Sequence, residues 1–147
     1  MCSMIRKALA TGLLAFAVSV IAPSTASADY SSFMYGGDNL YCGERVTAGG
    51  DTWSLTLICW GGTGYLLQEP GPGVSCSWSN LGYCWGGYGW PSDHAVMQGD
   101  GNFVAYDGAT ARWSTGTHGN YGAYLNVQDD SNIVVYTYWD YPLWSIW

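Results

Sequence analysis

"MQGDGNFVAY" at residues 97–106 returns as "VQDDSNIVVY" at residues 127–136, a period of 30 residues. Gln, Asp, Asn, Val and Tyr keep every second position in both copies, while the residues between them change. In an extended strand, residues two apart share a face. "GDG" and "DDS" are turn sequences, so the chain is expected to reverse between Gln and Asn. The reversal would set Gln98 nearly opposite Asn102, with Asp100 at the bend and Val104 and Tyr106 on the returning strand. Gln128, Asp130, Asn132, Val134 and Tyr136 repeat the arrangement. Each copy then makes a shallow pocket of one carboxylate, two carboxamides, a phenol and a small apolar patch.

Outward from these bends, the rest of the chain alternates in the same way. "TWSLTLICW" (52–60), "HAVMQ" (94–98), "NFVAY" (102–106), "AYLNVQ" (123–128) and "NIVVY" (132–136) are short alternating runs separated by Gly, Asp, Asn and Ser. No long stretch repeats apolar residues at helical spacing, so the chain reads as all-β with frequent hairpins. Trp113 follows Tyr106 by seven residues and Trp144 follows Tyr136 by eight, giving each unit a Trp-bearing closing strand. A third copy fits "ICWGGTGYLLQ" (58–68), where Trp60, Gly62, Gly64, Leu66 and Gln68 take the five places and Trp78 is the Trp counterpart. Trp60 in that copy is expected to fill a gap. Three β units result, roughly 38–79, 80–115 and 116–147, with a Gly/Tyr/Trp-rich insertion at 80–90.

Residues 1–28 stand apart: Arg6 and Lys7 precede the apolar "ALATGLLAFAVSVIA", and "ASA" closes the stretch as a small-residue cleavage pattern. This is the organisation of a secretory signal peptide, so the mature chain is expected to span 29–147 as one domain, secreted and not inserted in the membrane. It keeps Arg45 and Arg112 against eleven acids, a formal net charge of −9 with no lysine. Nucleic acids and anionic membrane surfaces are poor partners for such a chain. Cys42, Cys59, Cys76 and Cys84 remain, an even count that in an exported protein suggests two disulfides in any of three pairings. No Cys-x-x-Cys occurs, and His94 and His118 lack finger spacing, so no metal or other cofactor is expected. "GDGN" and "DDSN" fall short of calcium loops, since Ala111 and Tyr141 stand where the twelfth-position acid would be.

The five repeated side chains suit a polyol. An ionised Asp only accepts hydrogen bonds, Asn and Gln amides donate and accept, and a Tyr hydroxyl does either. Vicinal sugar hydroxyls offer the matching groups. A bond to the charged Asp contributes about 1.5–3 kcal/mol and a neutral one about 1 kcal/mol. After the cost of immobilising the ligand, binding at one pocket is on the order of millimolar. The fold does not demand this set, because the third copy keeps the frame without it.

The pattern Gln-x-Asp-x-Asn-x-Val-x-Tyr, in units separated by Trp-Ser-Thr-type strands, resembles the bulb-type lectin family. The likeness runs from "DNLYCGERVTAGG" (38–50) to residue 147. It implies a β-prism of three four-stranded antiparallel sheets with pseudo-threefold symmetry and a Trp cluster on the axis, matched by Trp113, Trp144 and, less closely, Trp78. It also implies two mannose sites, Gln98, Asp100, Asn102, Val104 and Tyr106, and Gln128, Asp130, Asn132, Val134 and Tyr136. There Gln, Asp, Asn and Tyr would bond the hydroxyls while Val meets the apolar face. The first unit lacks all four polar ligands, so no such site is expected in it. The cysteines do not reproduce the family's usual bridge, and no pairing carries over. Family members often dimerise by exchanging C-terminal strands, and "PLWSIW" (142–147) stands close to that place.

The function expected is therefore a non-enzymatic lectin for mannose-containing glycans, with homodimerisation as an open option. The alternatives are a lectin-like antibacterial toxin and a structural cell-envelope protein. Glycoside hydrolysis needs two carboxylates about the bond, one kept protonated, and each pocket offers one Asp in a polar turn.

Overall fold

A computed structural model describes residues 29–30, 32–61, 63–71, 85–86 and 92–147. The signal segment, Trp78, Cys76, Cys84 and most of the 80–90 insertion lie outside the described residues. Among the described residues thirteen strands follow in chain order: β1 Asp29–Tyr30, β2 Phe33–Met34, β3 Asn39–Tyr41, β4 Arg45–Thr47, β5 Trp53–Trp60, β6 Thr63–Pro70 and β7 Trp85–Gly86. After them come β8 His94–Met97, β9 Phe103–Asp107, β10 Thr110–Ser114, β11 Tyr124–Val127, β12 Ile133–Tyr136 and β13 Pro142–Ser145. The described residues form no helix, as the alternating pattern requires.

Three sheets carry these strands, in the orders β1-β4-β5-β6-β7, β3-β8-β9-β10 and β2-β11-β12-β13. The all-β, three-sheet architecture agrees with the sequence reading, with one addition. The first sheet has a fifth strand, β1, lying parallel to β4, where four antiparallel strands were expected. The sheets also draw on the chain differently from the three consecutive units. β2 pairs with β11 and β3 pairs with β8, so the N-terminal segment supplies the opening strand of the third and second sheets.

Alternation sets the core. Ala95 and Met97 of β8, Phe103 and Ala105 of β9, and Leu125 and Val127 of β11 point inward and are buried. Leu55 and Leu66 from the first sheet, Phe103 and Trp113 from the second, and Ile133 and Trp144 from the third meet around the centre. Trp113 and Trp144 pack edge to face there, 5.8 Å apart and inclined at 73°. Such a pair adds about 0.5–1.5 kcal/mol beyond the area it buries. Of the cysteine pairings left open, the structure joins Cys42 to Cys59, with Cα atoms 5.4 Å apart, tying the turn after β3 to the end of β5. Closing a loop of this size stabilises a fold by about 3 kcal/mol.

Candidate functional site

Both repeated stretches form the expected hairpin bends. The Gln98 N–H donates to the Asn102 carbonyl at 2.8 Å and the Gly101 N–H to the Gln98 carbonyl at 3.0 Å. In the second copy the corresponding bonds, Gln128 to Asn132 and Ser131 to Gln128, measure 2.9 and 3.2 Å. Gly101 and Ser131 sit in the left-handed region, with φ of 91° and 76°. The Asp carboxylate closes the turn, as Asx turns do: Asp100 Oδ1 accepts the Asn102 N–H at 3.1 Å, and Asp130 Oδ1 accepts the Asn132 N–H at 3.0 Å. Across the hairpin, Gln98 Nε2 donates to the Tyr106 hydroxyl at 2.7 Å and Gln128 Nε2 to the Tyr136 hydroxyl at 2.9 Å. Each phenol therefore has its own proton available to an outside acceptor. Val104 and Val134 lie on the same face but are only 3% and 2% exposed, so they form the floor of each pocket beneath the polar ring.

What holds the two bends differs. Asn102 Oδ1 accepts the Thr115 hydroxyl and the Thr117 N–H, both at 3.1 Å, which fixes the amide. Thr117 is buried, and its hydroxyl donates to the Gly101 carbonyl at 2.6 Å. Asn132 Oδ1 is buried without a partner among the described residues. The second bend is held largely by the first unit. Asp129 Oδ1 accepts the Thr52 hydroxyl at 2.7 Å and the Gly50 N–H at 2.9 Å, and these bonds hold its carboxyl below the usual range. Gln68 Nε2 and, at 2.9 Å, Trp147 Nε1 both donate to the Ser131 carbonyl. Sequence reading missed these anchors, whose partners lie far along the chain.

The third copy is where the structure departs from the sequence frame. Trp60 pairs with Thr63 across a two-residue loop, whereas Gln98 and Asn102 enclose three residues. One residue fewer moves every following side chain to the other face. Thr63, Tyr65 and Leu67 therefore take the outward places, and Gly64, Leu66 and Gln68 turn to the core, with Gln68 fully buried. Trp60 does not fill a gap, because 83% of it is exposed. Gly62 and Trp78 lie outside the described residues. At the closing-strand place held by Trp113 and Trp144, the backbone of β7 lies beside β6.

A row of side chains continues each pocket across its sheet. In the second sheet Tyr41, His94 and Tyr106 face one another on adjacent strands, with ring centroids 6.0 and 5.4 Å apart. His94 Nδ1 lies 2.6 Å from Asp93 Oδ1, and this bond is the main reason the Asp93 carboxyl sits below its ordinary value. In the third sheet the row is Tyr35, Tyr124 and Tyr136, at 5.8 and 5.7 Å. The Tyr124 hydroxyl donates to Asp140 Oδ1 at 2.7 Å. Burial, with that bond, pushes the phenol up to about 12, so it stays neutral. In the first sheet the same places hold Arg45, Thr56 and Leu67.

Three sheets about a Trp-centred axis, with these bends at the rim of two of them, match known structures. The fold is that of the bulb-type lectins. A lectin of Marasmius oreades superposes with a TM-score of 0.67 at 23% identity, covering 80% of this chain and 91% of that one. The monomeric monocot mannose-binding lectins of Gastrodia elata give 0.59 at 23% identity, over 78% and 94% of the two chains. No protein-family model matches the sequence, and no curated protein does.

Proposed function

We propose that the protein is a secreted, non-enzymatic lectin that holds mannose-type glycans in two pockets. One is built from Gln98, Asp100, Asn102, Val104 and Tyr106, the other from Gln128, Asp130, Asn132, Val134 and Tyr136. The observation that carries this reading is the duplicated geometry: both bends set Gln against Tyr and Asp against the Asn backbone at nearly equal distances. Each Asp uses one oxygen to close its own turn and offers the other to a hydroxyl. The Tyr hydroxyl and the Asn and Gln amides supply further donors and acceptors around the same ring. Both fold relatives described above are lectins, and one of them is named for binding mannose.

Single pockets of this kind bind on the order of millimolar, and two on one body gain by avidity when the ligand is multivalent. Secretion is supported by the signal-like residues 1–28. The test is retention of the mature protein on mannose-agarose with elution by free mannose. The Asp100→Ala/Asp130→Ala double variant is expected to flow through. Wild-type protein that flows through alongside it sinks the proposal.

A further inference from the structure

Three tyrosines, Tyr35, Tyr124 and Tyr138, line a cleft of about 490 Å³ beside the third sheet, within the size range of small-molecule pockets. Gly36, Gly99 and Gly122 line it too, and bring no side chain into the space. Among the described residues, none that lines the cleft carries a charge, and none belongs to either five-residue pocket. Tyr35 and Tyr138 are 55% and 66% exposed, yet both are held in place. The Tyr35 N–H donates to Asp38 Oδ2 at 2.7 Å, and the Tyr35 ring lies 5.8 Å from that of Tyr124. Tyr138 sits in a turn closed by the Thr137 hydroxyl, which accepts the Trp139 and Tyr141 N–H groups at 3.2 and 3.1 Å. Its ring packs against Trp139 at 5.0 Å. Rings fixed before a ligand arrives lose little freedom on binding it.

The charge bonded to this wall is of one sign. Asp38 holds Tyr35, and Asp140 Oδ1 accepts the Tyr124 hydroxyl at 2.7 Å. Residues 29–147 hold two arginines and no lysine, and both arginines lie elsewhere: Arg45 on β4 and Arg112 on β10, where it bonds Asp107 at 2.6 Å. A phenol that donates to a carboxylate has an electron-rich ring, and the face of such a ring attracts a cation. We infer that the cleft binds a quaternary ammonium group of the choline type. That cation has no N–H to leave unpaired, and ring faces can cover its methyl groups while meeting its charge. A primary ammonium or a guanidinium fits less well, because the uncharged lining offers no carboxylate in place of the water it would lose. The second sheet lacks the arrangement. Tyr41 and His94 take the places of Tyr35 and Tyr124, and its last turn, 107–110, has no aromatic residue.

The test is calorimetric titration of the mature protein with choline and with the alcohol in which a carbon replaces the choline nitrogen, the same shape without the charge. Choline is expected to bind about ten-fold tighter, the difference made by a desolvated contact between a cation and a ring. Tyr35→Ala and Tyr138→Ala should each remove that preference, while Tyr35→Phe and Tyr138→Phe should keep it, since the ring face remains. In NMR spectra of the unsubstituted protein, ring currents should move the choline N-methyl signal upfield and the Tyr35 and Tyr138 ring signals should shift, a readout that depends on no variant folding. Cosedimentation with phosphatidylcholine vesicles, set against binding of free phosphocholine, separates two sources of the same group. Retention by the vesicles makes it a lipid headgroup, and binding of phosphocholine alone makes it a soluble or polymer-borne ligand. Equal binding of choline and its uncharged analogue, or a choline affinity that no tyrosine substitution changes, overturns the inference whatever the result on mannose-agarose.

Discussion

The two pockets carry the same five residues and are supported by different sets of neighbours. The first is braced by its own exit segment, where Thr115 and Thr117 close on Asn102 and Gly101. The second is braced by Trp147 of its exit segment on Ser131 and, from the first unit, by Thr52 and Gly50 on Asp129 and Gln68 on Ser131. Ile146 stands where Thr115 stands in the first, its N–H bonding Ile133 as the Thr115 N–H bonds Phe103, and it has no hydroxyl to offer Asn132. The repeat therefore preserves the groups that face outward, while the groups that hold them are local solutions. The first unit, without a motif of its own, supplies the bracing for the second pocket.

The largest rupture of this comparison is expected at Gly101. Its φ of 91° is left-handed, and a Cβ there would lie 2.2 Å from the Asn120 carbonyl oxygen. The backbone conformation alone costs an alanine about 1–2 kcal/mol, and the clash with backbone adds to it. Gly101→Ala should lower the melting temperature markedly and abolish mannose binding in an Asp130→Ala background, where only the first pocket remains. Retained binding there would show that the bend tolerates a shift and that its geometry is not what the ligand needs.

Thr117→Val comes next. It strips the donor from the Gly101 carbonyl and leaves buried polar groups unpaired, at a cost of about 1–3 kcal/mol. Affinity at the first pocket should fall about ten-fold, with the second pocket, titrated in Asp100→Ala, unaffected. A loss shared by both pockets would mean that the bracing is global rather than local. Ser131→Gly is the mirror experiment and a smaller one. Relief of a non-glycine φ of 76° outweighs the added chain entropy, so stability should rise by about 0.5–1 kcal/mol in a denaturant titration.

Sequence reasoning reached the parts of this molecule that are local. A two-residue beat interrupted by "GDG" or "DDS" specifies a hairpin, and the Gln98–Asn102 and Gln128–Asn132 bonds follow from it. Spacing after each motif marked Trp113 and Trp144, and the family resemblance implied that they meet on the axis, as they do. What escaped depends on partners far along the chain. Nothing in Phe33–Met34 or Asn39–Tyr41 says that these short strands open the third and second sheets rather than the first. The slip in the third copy turns on a single residue of loop length, which an alignment by side-chain type does not detect. Its consequence is total for Gln68, which moves from the place aligned with Tyr106 and Tyr136 to a buried brace.

The finest test of the comparison is the pH dependence of the Asp129 anchor, whose place in the first bend is held by Gly99. Its carboxyl is depressed in the folded protein, chiefly by the Thr52 hydroxyl and then by the Gly50 N–H. A depressed folded value means that the ionised form is the one bonded. Its contribution is complete above the unfolded value of about 3.9 and is lost as the pH falls through the lower folded value. Wild type should therefore melt above Asp129→Ala at pH 7, and the gap should narrow below about pH 4 and close once the carboxyl is protonated. The side chain is exposed, so added salt should shrink the same gap at neutral pH. At pH 7, Asp129→Ala should weaken the second pocket, titrated in Asp100→Ala, and leave the first, titrated in Asp130→Ala, unchanged. A gap that stayed constant from pH 7 to pH 3 would mean that Asp129 acts through packing, and that the second bend does not depend on the first sheet for its charge.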